Sequence, residues 1–127
     1  MAEPRRPCIL LVEDEWLVSD VVARELEDAG FGVIETATGE AALAALRDHP
    51  SVDLLLTDIR LPGGLDGWTL AEEARRLRPD LPVIYATGYS AVAPRRVPKS
   101  LFFTKPYRTA ALVEAIRGLG VAPGPVP

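Results

Sequence analysis

The sequence predicts an α/β fold, a doubly wound parallel sheet covered by helices on both faces. Short apolar runs alternate along the chain with stretches that repeat apolar residues at helical spacing. The first run, residues 8–12, is continuously apolar and ends in acid, which is typical of a strand buried on both faces. Strands that alternate with helices are joined by right-handed crossovers, which place helices on both sides of a parallel sheet. The length of 127 residues is enough for one such domain.

Five strands are predicted from the apolar runs. They cover residues 8–12, 31–35, 52–57, 83–86 and 101–104. All are of the short length that is usual for strands in globular proteins. The run at 31–35 is the weakest of the five, whereas the run at 52–57 is apolar almost throughout.

Four helices are predicted between and after these strands: at residues 16–29, at residues 39–48, after Asp66, and from Thr109 onward. Apolar residues recur in them at intervals of three or four: Val18, Val22, Leu26 and Ala29 in the first, Leu70, Ala74 and Leu77 in the third, and Leu112, Ile116 and Leu119 in the last. Gly30 stands where a left-handed residue ends a helix, and the side chain of Asp66 can cap the third helix.

The domain is predicted to span residues 7–120, between an N-terminal extension at 1–6 and a flexible proline-rich tail at 121–127. Between the fourth and fifth strands, Pro94 and Pro98 disfavour a full amphipathic helix, because proline removes a backbone donor. We therefore expect the crossover helix at this point to be short or disordered.

The composition narrows the class of protein. Hydrophobic residues make up 48% and charged residues 25%, as in soluble globular proteins. The net charge of −4 does not fit a surface that wraps a nucleic-acid backbone, so no direct nucleic-acid partner is expected. One cysteine cannot form an internal disulfide, and no run is long enough to span a bilayer. We expect a cytoplasmic protein without a membrane partner.

Polar residues follow several of the predicted strands at the point where each strand ends. Because the carboxyl ends of parallel strands meet at one edge of the sheet, these side chains are expected to lie close together, at the edge where open α/β folds bind ligands. The residues concerned are Glu13, Asp14 and Glu15 after the first strand, Asp58 after the third, Thr87 at the fourth and Lys105 after the fifth.

Such a set of side chains is suited to capturing a phosphoryl group. Two carboxylates 4 Å apart repel each other by about 4 kcal/mol at a surface-like dielectric, and Mg²⁺ relieves this repulsion. An aspartate such as Asp58 is a competent nucleophile toward phosphorus. The Lys105 ammonium and the Thr87 hydroxyl can then neutralise or hydrogen-bond the oxygens of the transferred group.

Four motifs of the chain resemble the receiver domain of two-component response regulators, the CheY-like family. The resemblance covers residues 7–119. Its motifs are Leu11-Val12-Glu13-Asp14-Glu15, then Asp58-Ile59-Arg60-Leu61-Pro62 with Asp66-Gly67 behind it, then Thr87-Gly88, and Lys105-Pro106-Tyr107. It implies a flavodoxin-like five-stranded parallel sheet in the order 2-1-3-4-5.

The resemblance also implies the function and the role of each residue. It implies that Asp58 accepts a phosphoryl group from a sensor histidine kinase and that the chain catalyses its own phosphorylation and dephosphorylation without being an enzyme. Mg²⁺ would be bound by Asp14, Asp58 and the backbone carbonyl of Arg60, with Glu13 holding a metal-bound water. Thr87 and Lys105 would contact the phosphoryl oxygens, and the peptide bond between Lys105 and Pro106 would be cis.

Residues 85–89, Tyr-Ala-Thr-Gly-Tyr, resemble the FATGUY subgroup of receivers. The subgroup implies a stand-alone receiver and a sensor kinase of the HWE or a related class. Phe102 takes the place of the aromatic residue that turns inward on activation, and it can equally be part of the core. Arg60 and Tyr89 can overhang the site and slow hydrolysis of the phosphoryl group.

These expectations define a single-domain response regulator, a monomer or weak homodimer, that acts by changing which protein it binds. Three other functions remain open. A flavin or mononucleotide binder needs a phosphate-binding loop after the first strand, where this chain has Glu13-Asp14-Glu15. A phosphatase of the haloacid-dehalogenase kind needs an aspartate where Arg60 stands. A receiver-like interaction module that is never phosphorylated would keep the fold without the chemistry.

Overall fold

The computed structural model of the chain describes residues 6–88 and 95–124. These residues form one five-stranded parallel sheet in the order β2-β1-β3-β4-β5, as predicted. The strands are β1 (Cys8–Val12), β2 (Gly32–Thr36), β3 (Val52–Thr57), β4 (Val83–Thr87) and β5 (Ser100–Thr104), and the helices are α1 (Trp16–Asp28), α2 (Gly39–Asp48), α3 (Gly67–Leu77) and α4 (Thr109–Gly118).

Two apolar layers enclose the sheet, one on each face. Helices α2 and α3 pack on one face through residues such as Leu46 and Leu70. Helices α1 and α4 cover the other face, where Leu26, Leu112 and Ile116 are fully buried. Strand residues alternate between the two layers, which explains why the central strands are apolar at nearly every position.

The buried face of α1 differs from the predicted stripe. Its deepest residues are Ser19, Ala23 and Leu26, whereas Val18 and Val22 are only partly buried. The apolar pattern did not include Ser19, because serine is a polar residue that is usually exposed. Its hydroxyl donates a 2.7 Å hydrogen bond to Oε1 of Glu35, which compensates for burial of the polar group.

The two helix-end predictions are confirmed. Gly30 has a φ of 105°, and the amides of Gly30 and Phe31 donate to the carbonyls of Glu27 and Leu26. This is the Schellman arrangement, which needs a left-handed residue at the position of Gly30. Asp66 caps α3 by accepting a 2.8 Å hydrogen bond from the amide of Thr69.

Two predictions, one for the end of α3 and one for the C-terminal tail, need correction. Leu77, expected on the buried side of α3, is 45% exposed because it lies in the last turn, beyond the edge of the core. The tail was expected to be flexible from residue 121, but Val121 is buried and the amide of Gly124 donates to the carbonyl of Gly30 at 2.8 Å. The domain therefore packs as far as Gly124.

The crossover helix between β4 and β5 was predicted to be short or disordered, and part of this segment is described by the structure. Residues 95–99 contain a turn and no helix. The amide of Val97 donates a 3.1 Å hydrogen bond to the hydroxyl of the buried Tyr85, which holds this segment against the sheet. Residues 89–94 lie outside the described part of the chain, so the expectation for Tyr89 is not addressed by the structure.

Candidate functional site

The register of the sheet places the predicted residues at one edge. Val12 pairs with Thr57, so Glu13 and Asp58 each follow the last paired residue of adjacent strands. The amide of Asp58 donates to the carbonyl of Val12 at 3.0 Å, which fixes the two strand ends side by side. The parallel ladder thereby brings together carboxylates that are 45 residues apart in sequence.

Three carboxylates form the acidic cluster of the site. Each of Glu13, Asp14 and Asp58 offers an oxygen, and these oxygens lie within 4.8 Å of one another. The Glu13 side chain is 5% exposed and that of Asp58 is 13% exposed, while Asp14 faces solvent. Carboxylates grouped so closely at a partly buried site repel one another unless a cation is present.

Lys105 supplies a cation to this cluster. Its Nζ donates to Oε1 of Glu13 and to Oδ2 of Asp58, the latter at 3.0 Å. The residue follows β5, and its amide donates to the carbonyl of Thr87 at 2.8 Å, which anchors it to the end of β4. The side chain therefore reaches from the edge strand across β4 to the centre of the sheet.

Burial and charge act against each other on the pKa values of this pair. Burial raises the pKa of Glu13 above its ordinary value, although the hydrogen bond from Lys105 opposes the rise. Burial alone would lower the pKa of Lys105, but the hydrogen bonds to Glu13 and Asp58 outweigh it and the pKa is raised. The lysine is therefore held protonated beside the two carboxylates.

The Asp58 carboxylate is held on both sides. Its Oδ1 accepts a 2.7 Å hydrogen bond from the amide of Ile59, while Oδ2 faces Lys105. The main chain is also restrained, because the hydroxyl of Thr57 donates to the carbonyl of Asp58 at 2.7 Å. The phosphoacceptor predicted from the sequence is thus presented in one orientation.

Gly67 lets the start of α3 approach the backbone of the site. Its amide donates to the carbonyl of Ile59 at 2.7 Å. A Cβ at this position would lie 2.1 Å from the carbonyl oxygen of Asp58 and 2.7 Å from Cα of Ile59. Only glycine fits at this contact, which explains the Asp-Gly pair at residues 66–67 in physical terms.

The remaining predicted site residues occupy the same edge. Thr87 is the last residue of β4, is 2% exposed and pairs with Thr104. Arg60 lies two residues beyond Asp58 with an exposed side chain. The peptide bond between Lys105 and Pro106 is cis, as the resemblance implied.

Phe102 packs against two other aromatic residues. Its ring centroid lies 6.3 Å from that of Trp68 and 6.4 Å from that of Tyr85. It is half-buried at the margin of the core on the α2 and α3 side. Trp68 is buried, so it is a packing residue.

A doubly wound sheet with an acidic cluster and a lysine at its carboxyl edge defines the class of flavodoxin-like proteins. The family model for the response regulator receiver domain matches residues 9–117. The chain therefore belongs to the receiver domains of two-component response regulators.

Individual relatives agree with this assignment. The response regulator receiver protein CpdR of Brucella abortus is 35% identical over 121 residues, which cover 90% of this chain and 97% of CpdR. A crystal structure of a receiver protein from Sinorhizobium medicae has 34% identity and a TM-score of 0.86, covering 91% of this chain and 94% of the other. The regulator TrrA of Thermotoga maritima, solved in complex with Mg²⁺-BeF, has 27% identity and a TM-score of 0.81, covering 89% and 98%. Several other curated relatives are longer, and the chain spans less than half of them.

The donor set fits a magnesium ion. Mg²⁺ prefers oxygen ligands and binds through one or two carboxylates together with water and phosphate. Asp14 and Asp58 supply such carboxylates, and the buried Glu13 lies within reach of the same point. Sulfur and imidazole ligands, which would favour zinc or copper, are absent from this cluster of described residues.

The helices were also compared with the requirements for a membrane span. Within residues 6–88 and 95–124, no helix has both the length and the apolar character needed to cross a lipid bilayer.

Proposed function

We propose that the chain accepts a phosphoryl group on Asp58 from the phosphohistidine of a sensor kinase, in a reaction that depends on Mg²⁺, and thereby changes which protein it binds. The observation that carries this proposal is the position of Asp58 Oδ2, 3.0 Å from Lys105 Nζ and within the acidic cluster. The similar protein TrrA was solved in complex with Mg²⁺-BeF, which supports a magnesium-dependent site in this chain.

The reaction exchanges one bond to phosphorus for another. A carboxylate oxygen of Asp58 attacks the phosphorus atom, the bond from phosphorus to the histidine nitrogen breaks, and the imidazole leaves with its electron pair and takes up a proton. Asp14, Asp58 and the Arg60 carbonyl would hold Mg²⁺, which supplies charge stabilisation to the phosphoryl oxygens. Lys105 donates hydrogen bonds to the same oxygens, and the Thr87 hydroxyl can do so from the end of β4.

The test uses a small phosphodonor, phosphoramidate, so that no kinase is needed. With Mg²⁺ present we expect the intact mass to rise by one phosphoryl group, and with EDTA we expect no rise, because three carboxylates then repel the incoming phosphate. Equal labelling with and without Mg²⁺ would contradict the metal dependence. No labelling in either condition would favour the unphosphorylated interaction module.

An apolar patch beside the site supports a protein as the phosphodonor. Trp16, Leu17 and Val21 of α1 are 73%, 62% and 53% exposed. Val21 also lines a groove of about 480 Å³, together with Lys105 and Tyr107. A partner that covers the patch and enters this groove would contact the site through Lys105, as delivery of a phosphoryl group requires.

We expect Trp16→Ala to slow phosphotransfer from a kinase by about tenfold, since a large exposed aromatic residue is a common binding hot spot. Its labelling by phosphoramidate should equal that of the wild type. The measurement uses the purified, autophosphorylated histidine kinase that labels the wild type fastest. Leu77→Ala, which removes an apolar side chain 45% exposed at the far end of α3, is the matched control. An equal loss in both variants would contradict docking at α1.

Three finer expectations from the sequence remain predictions. Membership of the FATGUY subgroup with an HWE-type kinase depends in part on Tyr89, outside the described residues. Arg60 is exposed at the site, and slow hydrolysis of the phosphoryl group remains the expected consequence. Movement of Phe102 on phosphorylation would have to disturb its packing on Trp68 and Tyr85.

A further inference from the structure

The loop between β3 and α3, residues 60–66, leads from the phosphoacceptor to the start of α3. Its ends are joined by the 2.7 Å hydrogen bond from the amide of Gly67 to the carbonyl of Ile59. Leu61 and Leu65 pack at the edge of the core below the loop. Between these two leucines, the loop contains Pro62 and then Gly63 and Gly64. The two glycines confer little stiffness of their own.

Glu40, in the first turn of α2, holds this glycine pair. Its Oε2 accepts a 2.9 Å hydrogen bond from the amide of Gly64. Gly63 has a φ of 91°, and a Cβ there would lie 3.0 Å from Oε1 and 3.1 Å from Oε2 of Glu40. The loop backbone therefore lies directly on the Glu40 carboxylate.

Gly39, the residue before Glu40, allows a second close contact between α2 and the loop. A Cβ at Gly39 would lie 2.7 Å from Cβ of Leu65, so the start of α2 and the loop are in tight contact. Thr38 caps α2 by accepting a 3.0 Å hydrogen bond from the amide of Ala41, which makes the helix start a firm support. The contact between Glu40 and the loop thus connects the loop to a rigid element.

We propose that Glu40 is a positioning residue for the magnesium site: by holding Gly63 and Gly64 it presets the loop that begins at Arg60. This inference rests on the proposed function, in which the Arg60 carbonyl is a metal ligand. Mg²⁺ demands nearly ideal octahedral geometry, so a backbone ligand on a loose loop must be ordered when the ion binds. Glu40 itself is not part of the acidic cluster, so it acts through the loop.

The test measures Mg²⁺ affinity by isothermal titration calorimetry of the intact protein, without a phosphodonor. We expect Glu40→Ala to weaken binding by about fivefold, the effect of one net hydrogen bond. Glu40→Gln should bind within about twofold of the wild type, because its amide oxygen can still accept from Gly64. Glu114→Ala removes the same charge from an exposed position on α4 and should leave the affinity unchanged.

Unfolding in EDTA separates positioning from general stability. Each variant should show a cooperative transition, and a role limited to stability would lower the midpoint of Glu40→Ala while leaving its Mg²⁺ affinity at the wild-type value. That result would overturn the inference, as would a Glu40→Gln variant as weak as Glu40→Ala. If the wild type itself bound no Mg²⁺, the proposed metal dependence would fail instead, so the two failures are distinguishable.

Discussion

Replacing Asp58 with asparagine is expected to abolish phosphorylation by phosphoramidate, a loss of roughly 10³-fold or more, as for removal of a nucleophile from other sites. The amide is a poor nucleophile toward phosphorus and carries no charge to bind a metal ion. The fold should survive, because the asparagine oxygen can still accept the 2.7 Å hydrogen bond that the amide of Ile59 donates to Oδ1. Intact mass after incubation with phosphoramidate and Mg²⁺ is the measurement.

Asp80→Asn provides the matched control, since Asp80 is exposed between α3 and β4 and lies outside the acidic cluster. It should be labelled at the wild-type rate. Full labelling of Asp58→Asn would place the nucleophile elsewhere, for example at Asp14, the exposed carboxylate of the same cluster. Peptide mapping of the labelled chain would decide between them.

The parts of the fold that could be predicted are those governed by short-range rules. The run at Cys8–Val12 is apolar at every position and only five residues long, which favours a strand covered on both faces over a buried helix. Asp66 and Gly30 mark helix ends through local geometry that any chain must obey. Because parallel strands align their carboxyl ends, the positions of Glu13 and Asp58 followed from the strand assignments alone.

The features that could not be predicted depend on contacts between distant residues. Ser19 is buried because Glu35, on another element, accepts its hydrogen bond, and nothing within α1 signals that partner. The contact between Glu40 and Gly64 likewise joins residues 24 positions apart, and no motif in either segment predicts it. The sequence placed Lys105 at the site, but its simultaneous contact with Glu13 and Asp58 depends on the reach of one rotamer across β4.

Because Lys105 contacts both Glu13 and Asp58, the substitution Lys105→Ala is expected to have a large effect on stability. The Glu13 side chain is 5% exposed, so without the lysine its buried carboxylate would lose the ammonium that contacts it. We expect the free energy of unfolding to fall by about 2 kcal/mol, less than the ~3–5 kcal/mol for breaking a fully buried pair, because Lys105 is 24% exposed. Urea denaturation in EDTA measures this change.

The double variant Glu13→Gln, Lys105→Ala separates the contribution of the lysine to stability from its contribution to phosphorylation. Neutralising Glu13 removes the unpaired buried charge, so the double variant should regain most of the lost stability. Its phosphorylation by phosphoramidate should nevertheless stay at least about tenfold below the rate of the single variant Glu13→Gln, which keeps the lysine, since no ammonium remains to stabilise the phosphoryl oxygens. A double variant as unstable as Lys105→Ala would contradict the pairing with Glu13. A double variant that regained stability and was phosphorylated as fast as Glu13→Gln would mean that Lys105 supports the fold without taking part in the transfer.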